Sequence, residues 1–367
     1  MTRRGAGRCN LVNWVLSRYL WIFPVLVCGG VIGTITVGSV PAANWPGGSG
    51  TTIVVPGTET DLSAAGWIPL NSELFIARQN GQIWRLAWNQ GEGNFTVLET
   101  ATLPVSAGSD IEALAVVDFE AGDEVYTLAE DQGRLSRVTL SGGSLTVSAV
   151  WNLEVLNNAQ ALPPETGGAG AEGLEYVPDA NLLSAGFRLP NGDLFSGSSK
   201  GMGGLIFVGH QSGGRLHVFD VNPGVSEDFV NHGSFATART EIAGLHFDRN
   251  LGWMYIWHNP LLVNSLEVTG LRSNTTVGVV DVLAHYTSGM PAGNLEGLAV
   301  VSPEDCGAYG SDATSRSLFL ARDGGSPNLE AFRDFPCEEQ IDSSINPAVL
   351  FLLMIHRAVN SDSEPDQ

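Results

Sequence analysis

Lysine is nearly missing. The 367-residue chain has one, Lys200, and its 18 Lys and Arg stand against 39 Asp and Glu, a formal charge of -21 at pH 7. Nucleic-acid backbones are held by clustered Lys and Arg, so a nucleic-acid partner is excluded. An acidic surface keeps a protein soluble and attracts cations. Cysteine is also scarce, with four in all. Cys9 and Cys28 fall in a segment that reads as a leader, whereas Cys306 and Cys337 bracket the last repeat and form a candidate disulfide if the chain is exported. Two buried thiols are the alternative. Catalytic signatures are lacking as well: there is no His-Glu-x-x-His pair and no glycine-rich loop ending in Lys-Ser/Thr, and the Gly-rich stretches 167–170 and 198–204 lack the strand-to-helix setting that phosphate cradles need.

A repeat fills much of the remainder. Asn294-Leu295-Glu296-Gly297-Leu298 returns in altered form as Asp61-Leu62-Ser63-Ala64-Ala65, Asp110-Ile111-Glu112-Ala113-Leu114, Gly170-Ala171-Glu172-Gly173-Leu174 and Glu241-Ile242-Ala243-Gly244-Leu245. Each copy is followed by a second apolar run, such as Leu74-Phe75-Ile76-Ala77 or Met254-Tyr255-Ile256-Trp257, and then by a short alternating run such as Gln82-Ile83-Trp84-Arg85-Leu86. Short β-branched runs separated by Gly, Asn and Asp read as antiparallel strands, with little room for helix. Units of roughly 50 to 70 residues built from such strands point to an all-β propeller. Five repeats give five blades. Six remain an alternative, because the third repeat carries an insertion at 181–204 containing Phe187 and Phe195. Outer strands are expected near Phe95, near Leu145, within 228–235 and at 276–280, and the β-branched run 51–55 is expected to complete the last blade and close the ring.

The ends differ from the repeat. Residues 1–50 contain no acid, and Arg3, Arg4, Arg8 and Arg18 precede an apolar run over 19–40. That polarity is an export signal. Val40-Pro41-Ala42 fits cleavage, which makes 1–42 a signal peptide. The run is also long enough to stay as a membrane tether. Residues 43–50 then read as a linker, 51–340 as the propeller and 341–367 as a carboxyl-terminal apolar segment with a polar tail. Asn94-Phe95-Thr96 and Asn274-Thr275-Thr276 match the glycosylation acceptor, a pattern common by chance.

Propeller geometry brings the start of strand one and the end of strand two to one axial mouth. Strand-one starts supply Glu112, Glu172 and Glu296, preceded by Asp61, Asp110, Glu241 and Asn294 at the rim. These three glutamates are the candidate metal ligands. Strand-two ends supply Arg78, Glu130, His210, His258 and Arg322 as candidate ligand-binding groups. Crowded carboxylates raise one another's pKa unless a cation neutralises them. They can therefore hold Ca²⁺, pair with Arg as a structural network, or keep one proton for acid–base work. Acceptance of backbone hydrogen bonds between blades is the structural alternative.

The repeated Glu-Gly/Ala-Leu strand starts, together with the Leu/Val-Phe/Tyr strands that follow them, resemble the SdiA-regulated and esterase-like phytase group of β-propellers over roughly residues 53–335. The resemblance implies an exported propeller. For the phytase relatives it implies Ca²⁺ held in a carboxylate-lined channel, with Glu112, Glu172 and Glu296 as the axis-facing carboxylates. Ser63 and Ala243 interrupt that ring, and the shortage of Lys leaves phosphate to Arg78, Arg322 and any bound metal. The expectation is therefore a propeller that binds a cation and a small or extended ligand at an acidic axial mouth. A Ca²⁺-dependent phytase-like or esterase/lactonase-like hydrolase and a protein-interaction scaffold are the alternatives.

Overall fold

The computed structural model describes residues 40–337, apart from 56, 58–60, 121, 157–158, 274–275 and 325–327. The leader with Cys9 and Cys28, the apolar run before Val40, and the segment 341–367 lie outside the described residues.

Period-two alternation gives each strand two faces, and in a propeller each face meets a different neighbouring blade. In the strand Glu73–Arg78, Leu74 and Ile76 join a core cluster with Phe319 and Ala321 of the last blade, while Phe75 and Ala77 join a second cluster with Leu114 and Val125 of the next blade. The same division recurs around the chain and produces five buried clusters, one at each blade interface. Five interfaces in a closed cycle require five blades.

The first blade is Leu62–Ile68, Glu73–Arg78, Gln82–Asn89 and Asn94–Thr102, and the second is Ile111–Val116, Glu124–Ala129, Arg134–Ser141 and Ser144–Asn152. The third is Ala171–Pro178, Gly204–His210, Arg215–Val221 and Phe229–Ala236, and the fourth is Ile242–Asp248, Trp253–His258, Ser265–Ser273 and Val280–Ser288. The fifth takes Leu295–Val300, Ser315–Arg322 and Leu329–Pro336 from the carboxyl side and Thr51–Ile53 from the amino side, with Thr51 opposite Ala331 and Ile53 opposite Leu329. The amino-terminal strand thus closes the ring, as the sequence predicts. Ile53 and Val55 anchor it in the cluster shared with Trp84 and Phe319.

Three local expectations change. The stretch 43–50 is seated on the ring instead of acting as a linker: Ala42–Asn44 add a parallel strand to the edge of the fourth blade, and Trp45 packs edge-on against Trp257 and Phe332 at ring-centroid distances of 5.9 and 5.4 Å. The outer strand of the fourth blade starts at Val280, because Gly278 at φ +74° and a Val279 N–H bond to the Thr276 carbonyl turn the preceding residues. The 181–204 insertion adds no sixth blade. It forms the helix Asp179–Ala185, ended by Gly186 in the left-handed conformation, and a loop whose Phe187 and Phe195 pack on Phe207 and its neighbours. Asp179 straps this loop by accepting the Ser198 N–H and hydroxyl.

Cys306 and Cys337 form a disulfide with Cα atoms 5.9 Å apart. It ties the long loop between the first two strands of the fifth blade to the residue after that blade's third strand, and it joins the pair expected from the sequence. No helix among the described residues is long and apolar enough to cross a membrane.

Candidate metal centre at the axial mouth

Each innermost strand carries a β-bulge at its start. Leu62 pairs with Arg78 and Ala64 with Ala77, which leaves Ser63 unpaired. The same slip leaves Glu112, Glu172 and Ala243 unpaired in the next three blades; in the fifth it falls one residue later, at Gly297. A bulge breaks alternation and re-aims a side chain, and it costs ladder hydrogen bonds. Asp61, Asp110 and Glu241, two residues ahead of the bulged position, all have φ between 55° and 59°. Non-glycine residues enter this region only when their surroundings hold them there. The mouth is thus built by a repeated local distortion.

The three letters of the repeated motif have separate jobs. The acidic residue enters the axis, where Glu112, Glu172 and Glu296 are 3%, 6% and 6% exposed. The following Gly or Ala leaves room for the next blade: a Cβ on Gly173 would sit 2.7 Å from Leu245 Cγ, and one on Gly244 would sit 3.2 Å from Leu298 Cβ. The third residue forms a plug. Ala65, Leu114, Leu174, Leu245 and Leu298 line the axis beside the carboxylates, and the cavity between them is only about 10 Å³. The acidic layer therefore lies against the plug, at the end of the axis where the innermost strands begin.

A second tier completes the mouth from the residues that follow strand two: Gln79, Glu130, Gln211, Asn259 and Asp323. Backbone bonds fix four of them, since the N–H groups of Glu130, Gln211, Asn259 and Asp323 donate to the carbonyls of Asp110, Gly170, Glu241 and Asn294. Asn294 Nδ2 donates to Glu296 Oε1 and Asp323 Oδ2, both at 2.9 Å, and Asn259 Nδ2 donates to Asn294 Oδ1 at 2.6 Å.

Burial and mutual repulsion raise these carboxyls. Glu112 is pushed up to about 11 by burial first, then by Glu296, Glu172 and Asp110. Burial followed by Asp323 raises Glu296 to about 8, against the pull of the Asn294 hydrogen bond. Glu130 rises to about 7, chiefly through burial, with the Gly170 N–H opposing. Glu172 lies well above its ordinary value through burial, Glu296 and Glu130, opposed by the Gln211 side chain. None of the principal influences on the four is a cation. Buried carboxyls normally persist because they are paired. Here Glu130 Oε1, Glu172 Oε2 and Glu296 Oε2 are buried without a hydrogen-bond partner.

Asp110, Glu112 and Glu130 each bring an oxygen within 4.8 Å of the others, and this triad could hold a metal ion. Opposite ligands on a calcium ion stand about 5 Å apart, given Ca–O distances of about 2.3–2.6 Å, so the spacing fits. From the sequence, Asp110 belongs to the rim and not to the ligand set; its offset two residues ahead of Glu112 was the available signal.

The remaining candidates occupy a different register position. Arg78, His210, His258 and Arg322 pair with Leu62, Ala171, Ile242 and Leu295, one residue before the second-tier position that Glu130 occupies. His210 accepts the Ser212 N–H at Nδ1, which leaves Nε2 to donate to the Pro163 carbonyl at 3.0 Å. His258 is fully buried between Glu267 Oε2 and the Thr240 carbonyl. Arg322 Nη2 donates to Glu330 Oε1 at 2.9 Å and to the Ala292 carbonyl. Gly197-Ser198-Ser199-Lys200-Gly201 has the spacing of a nucleophile elbow but lies in the insertion loop, and Ser199 Oγ donates to Asp220 Oδ2. Strand–turn–helix geometry is missing there.

Fold and site together define a five-bladed β-propeller with an acidic mouth at one end of its axis. No family model and no curated protein matches the chain. Among solved structures it is similar to the hydrazine synthase of Kuenenia stuttgartiensis, at 13% identity and a TM-score of 0.37, over 73% of this chain and 59% of that one. The matched part is under two thirds of that protein, and a likeness at this level carries no argument about function.

Proposed function

We propose that this is an exported propeller that binds a cation, Ca²⁺, at the axial mouth and through it a small or extended ligand. The observation that carries the reading is the set of three buried, unpartnered carboxylate oxygens around the Asp110, Glu112 and Glu130 triad. An all-oxygen donor set rich in carboxylates suits a hard cation, and Ca²⁺ tolerates irregular geometry better than Mg²⁺ does. The disulfide supports export, since such bonds persist in oxidising compartments. Resemblance of the strand starts to the SdiA-regulated and esterase-like phytase propellers supports the same assignment. Hydrolysis draws less support, because His210 and His258 hold backbone or carboxylate partners of their own.

Thermal unfolding in EDTA and then in excess Ca²⁺ tests the proposal. At a hundredfold excess over Kd, a cation bound only to the folded state adds about 2.7 kcal/mol, or about 4 °C for a ring of this size. A rise of that order, absent in Glu112→Gln, supports the reading. An unchanged midpoint in the wild-type protein would refute it.

A further inference from the structure

We propose that the cleft at the opposite end of the axis is a second ligand site, for a neutral polyhydroxylated molecule of the sugar class. The cleft holds about 490 Å³, within the roughly 300–1,000 Å³ of small-molecule sites. It lies where the innermost strands of blades one, two, four and five end, and the leucine plug separates it from the acidic mouth.

Its walls are fixed before any ligand arrives. Arg249 reaches from the fourth blade to the second, donating from Nη2 to the carbonyls of Val116 and Val117 at 2.9 Å, with its guanidinium 3.6 Å above the Phe119 ring. Asn250 Nδ2 donates to Ser302 Oγ at 2.7 Å. The Ser302 to Asp305 wall continues into the loop stapled by the Cys306–Cys337 disulfide. Behind it Tyr309 packs on Trp67 with ring centroids 4.7 Å apart, and its hydroxyl meets Ser72 Oγ at 2.6 Å. Tyr309 and Ser72 both hold positive φ, at 55° and 54°. Strain of this kind collects at ligand clamps. Trp67 also lines the cleft, and its indole N–H is buried without an acceptor.

The lining mixes donors with acceptors around apolar faces. Indole, guanidinium and carboxamide N–H groups donate, while the Asp305 carboxylate and Ser302 hydroxyl accept. Sugar hydroxyls do both at once, and sugar C–H faces lie against aromatic rings. The alternatives fit less well. The carboxylates of Glu304 and Asp305 outnumber Arg249 and disfavour an anion, Arg249 disfavours a cation, and a wholly apolar ligand would strand the polar groups.

Isothermal titration of the full chain with glucose, galactose, mannose, maltose and cellobiose, with glucuronate as the anionic comparison, tests the assignment. At least one neutral sugar is expected to bind saturably at millimolar concentration or below, equally in EDTA and in Ca²⁺. Trp67→Phe keeps the ring and removes the N–H, and should weaken binding about tenfold, the worth of one hydrogen bond. Asp305→Ala should weaken it at least as much, and the melting point of each variant checks that it is folded. Saturation by none of the neutral sugars, equal binding in both variants, stronger binding of glucuronate, or loss of sugar binding in EDTA would each overturn the proposal.

Discussion

Replacing Glu112 by Gln should stabilise the cation-free protein, and by an amount that grows with pH. In the fold Glu112 keeps its proton until about pH 11, whereas in the unfolded chain it loses it near its ordinary value of 4.5. The unfolded state therefore binds fewer protons than the folded one, so stability falls as pH rises from 4.5 towards the folded pKa. The slope is about 1.4 kcal/mol per pH unit for each such group. At pH 7, about 2.5 units above the unfolded value, holding this proton costs about 3 kcal/mol. Gln carries no such cost, and its amide occupies nearly the same space. Glu112→Gln should therefore exceed the wild type by up to about 3 kcal/mol at pH 7, less what the amide forfeits towards Asp110, and by more at pH 9. The window matters. His217 and His246 are held near pKa 3 by burial, so below their ordinary 6.5 they add an opposite slope that vanishes above it. Urea unfolding in EDTA at pH 7, 8 and 9 reads the difference directly. A variant less stable than the wild type throughout, or a difference independent of pH, would refute the reasoning and identify Glu112 as an ionised acceptor that holds the blades together.

Other tests address the ring and its staples. Gly173→Ala places a Cβ against Leu245 and should cost about 1–3 kcal/mol in urea unfolding, since this glycine is needed for space and not for its backbone angle. Replacing Cys306 and Cys337 together by Ser opens a loop of sequence separation 31 and should cost about 3–4 kcal/mol on the chain-entropy estimate. Arg316→Met leaves Asp248 buried without its 3.0 Å partner and should cost about 3–5 kcal/mol, with a lower thermal midpoint as the readout.

The ring was legible in the sequence because its signals are local. The unbroken apolar run Leu74-Phe75-Ile76-Ala77 already states that two faces are buried, and the β-branched residues 51–55 state that a strand precedes the first repeat. The Glu-Gly-Leu phrase could be read as a strand start. Its second and third letters make sense only across blade boundaries, where Gly173 meets Leu245 and Gly244 meets Leu298. The bulges leave no signature in composition, and a one-residue slip sends a side chain to the other face. For that reason Glu130 joins Asp110 and Glu112, while His210, His258 and Arg322, one register position earlier, find partners away from the triad. The far cleft was not legible at all, because Trp67, Phe119, Arg249 and Asp305 come from four blades and share no motif.

Entry of a cation at the acidic axial mouth is what gives the propeller its proposed function. Calorimetric titration of the EDTA-stripped protein with Ca²⁺ at pH 7.5, in wild type and in Glu112→Gln and Glu172→Gln, measures it. The expected result is saturable binding by the wild-type chain, weakened at least about tenfold when either carboxylate is replaced by its amide. No heat of binding in the wild type, or the same affinity in all three proteins, would contradict the central claim.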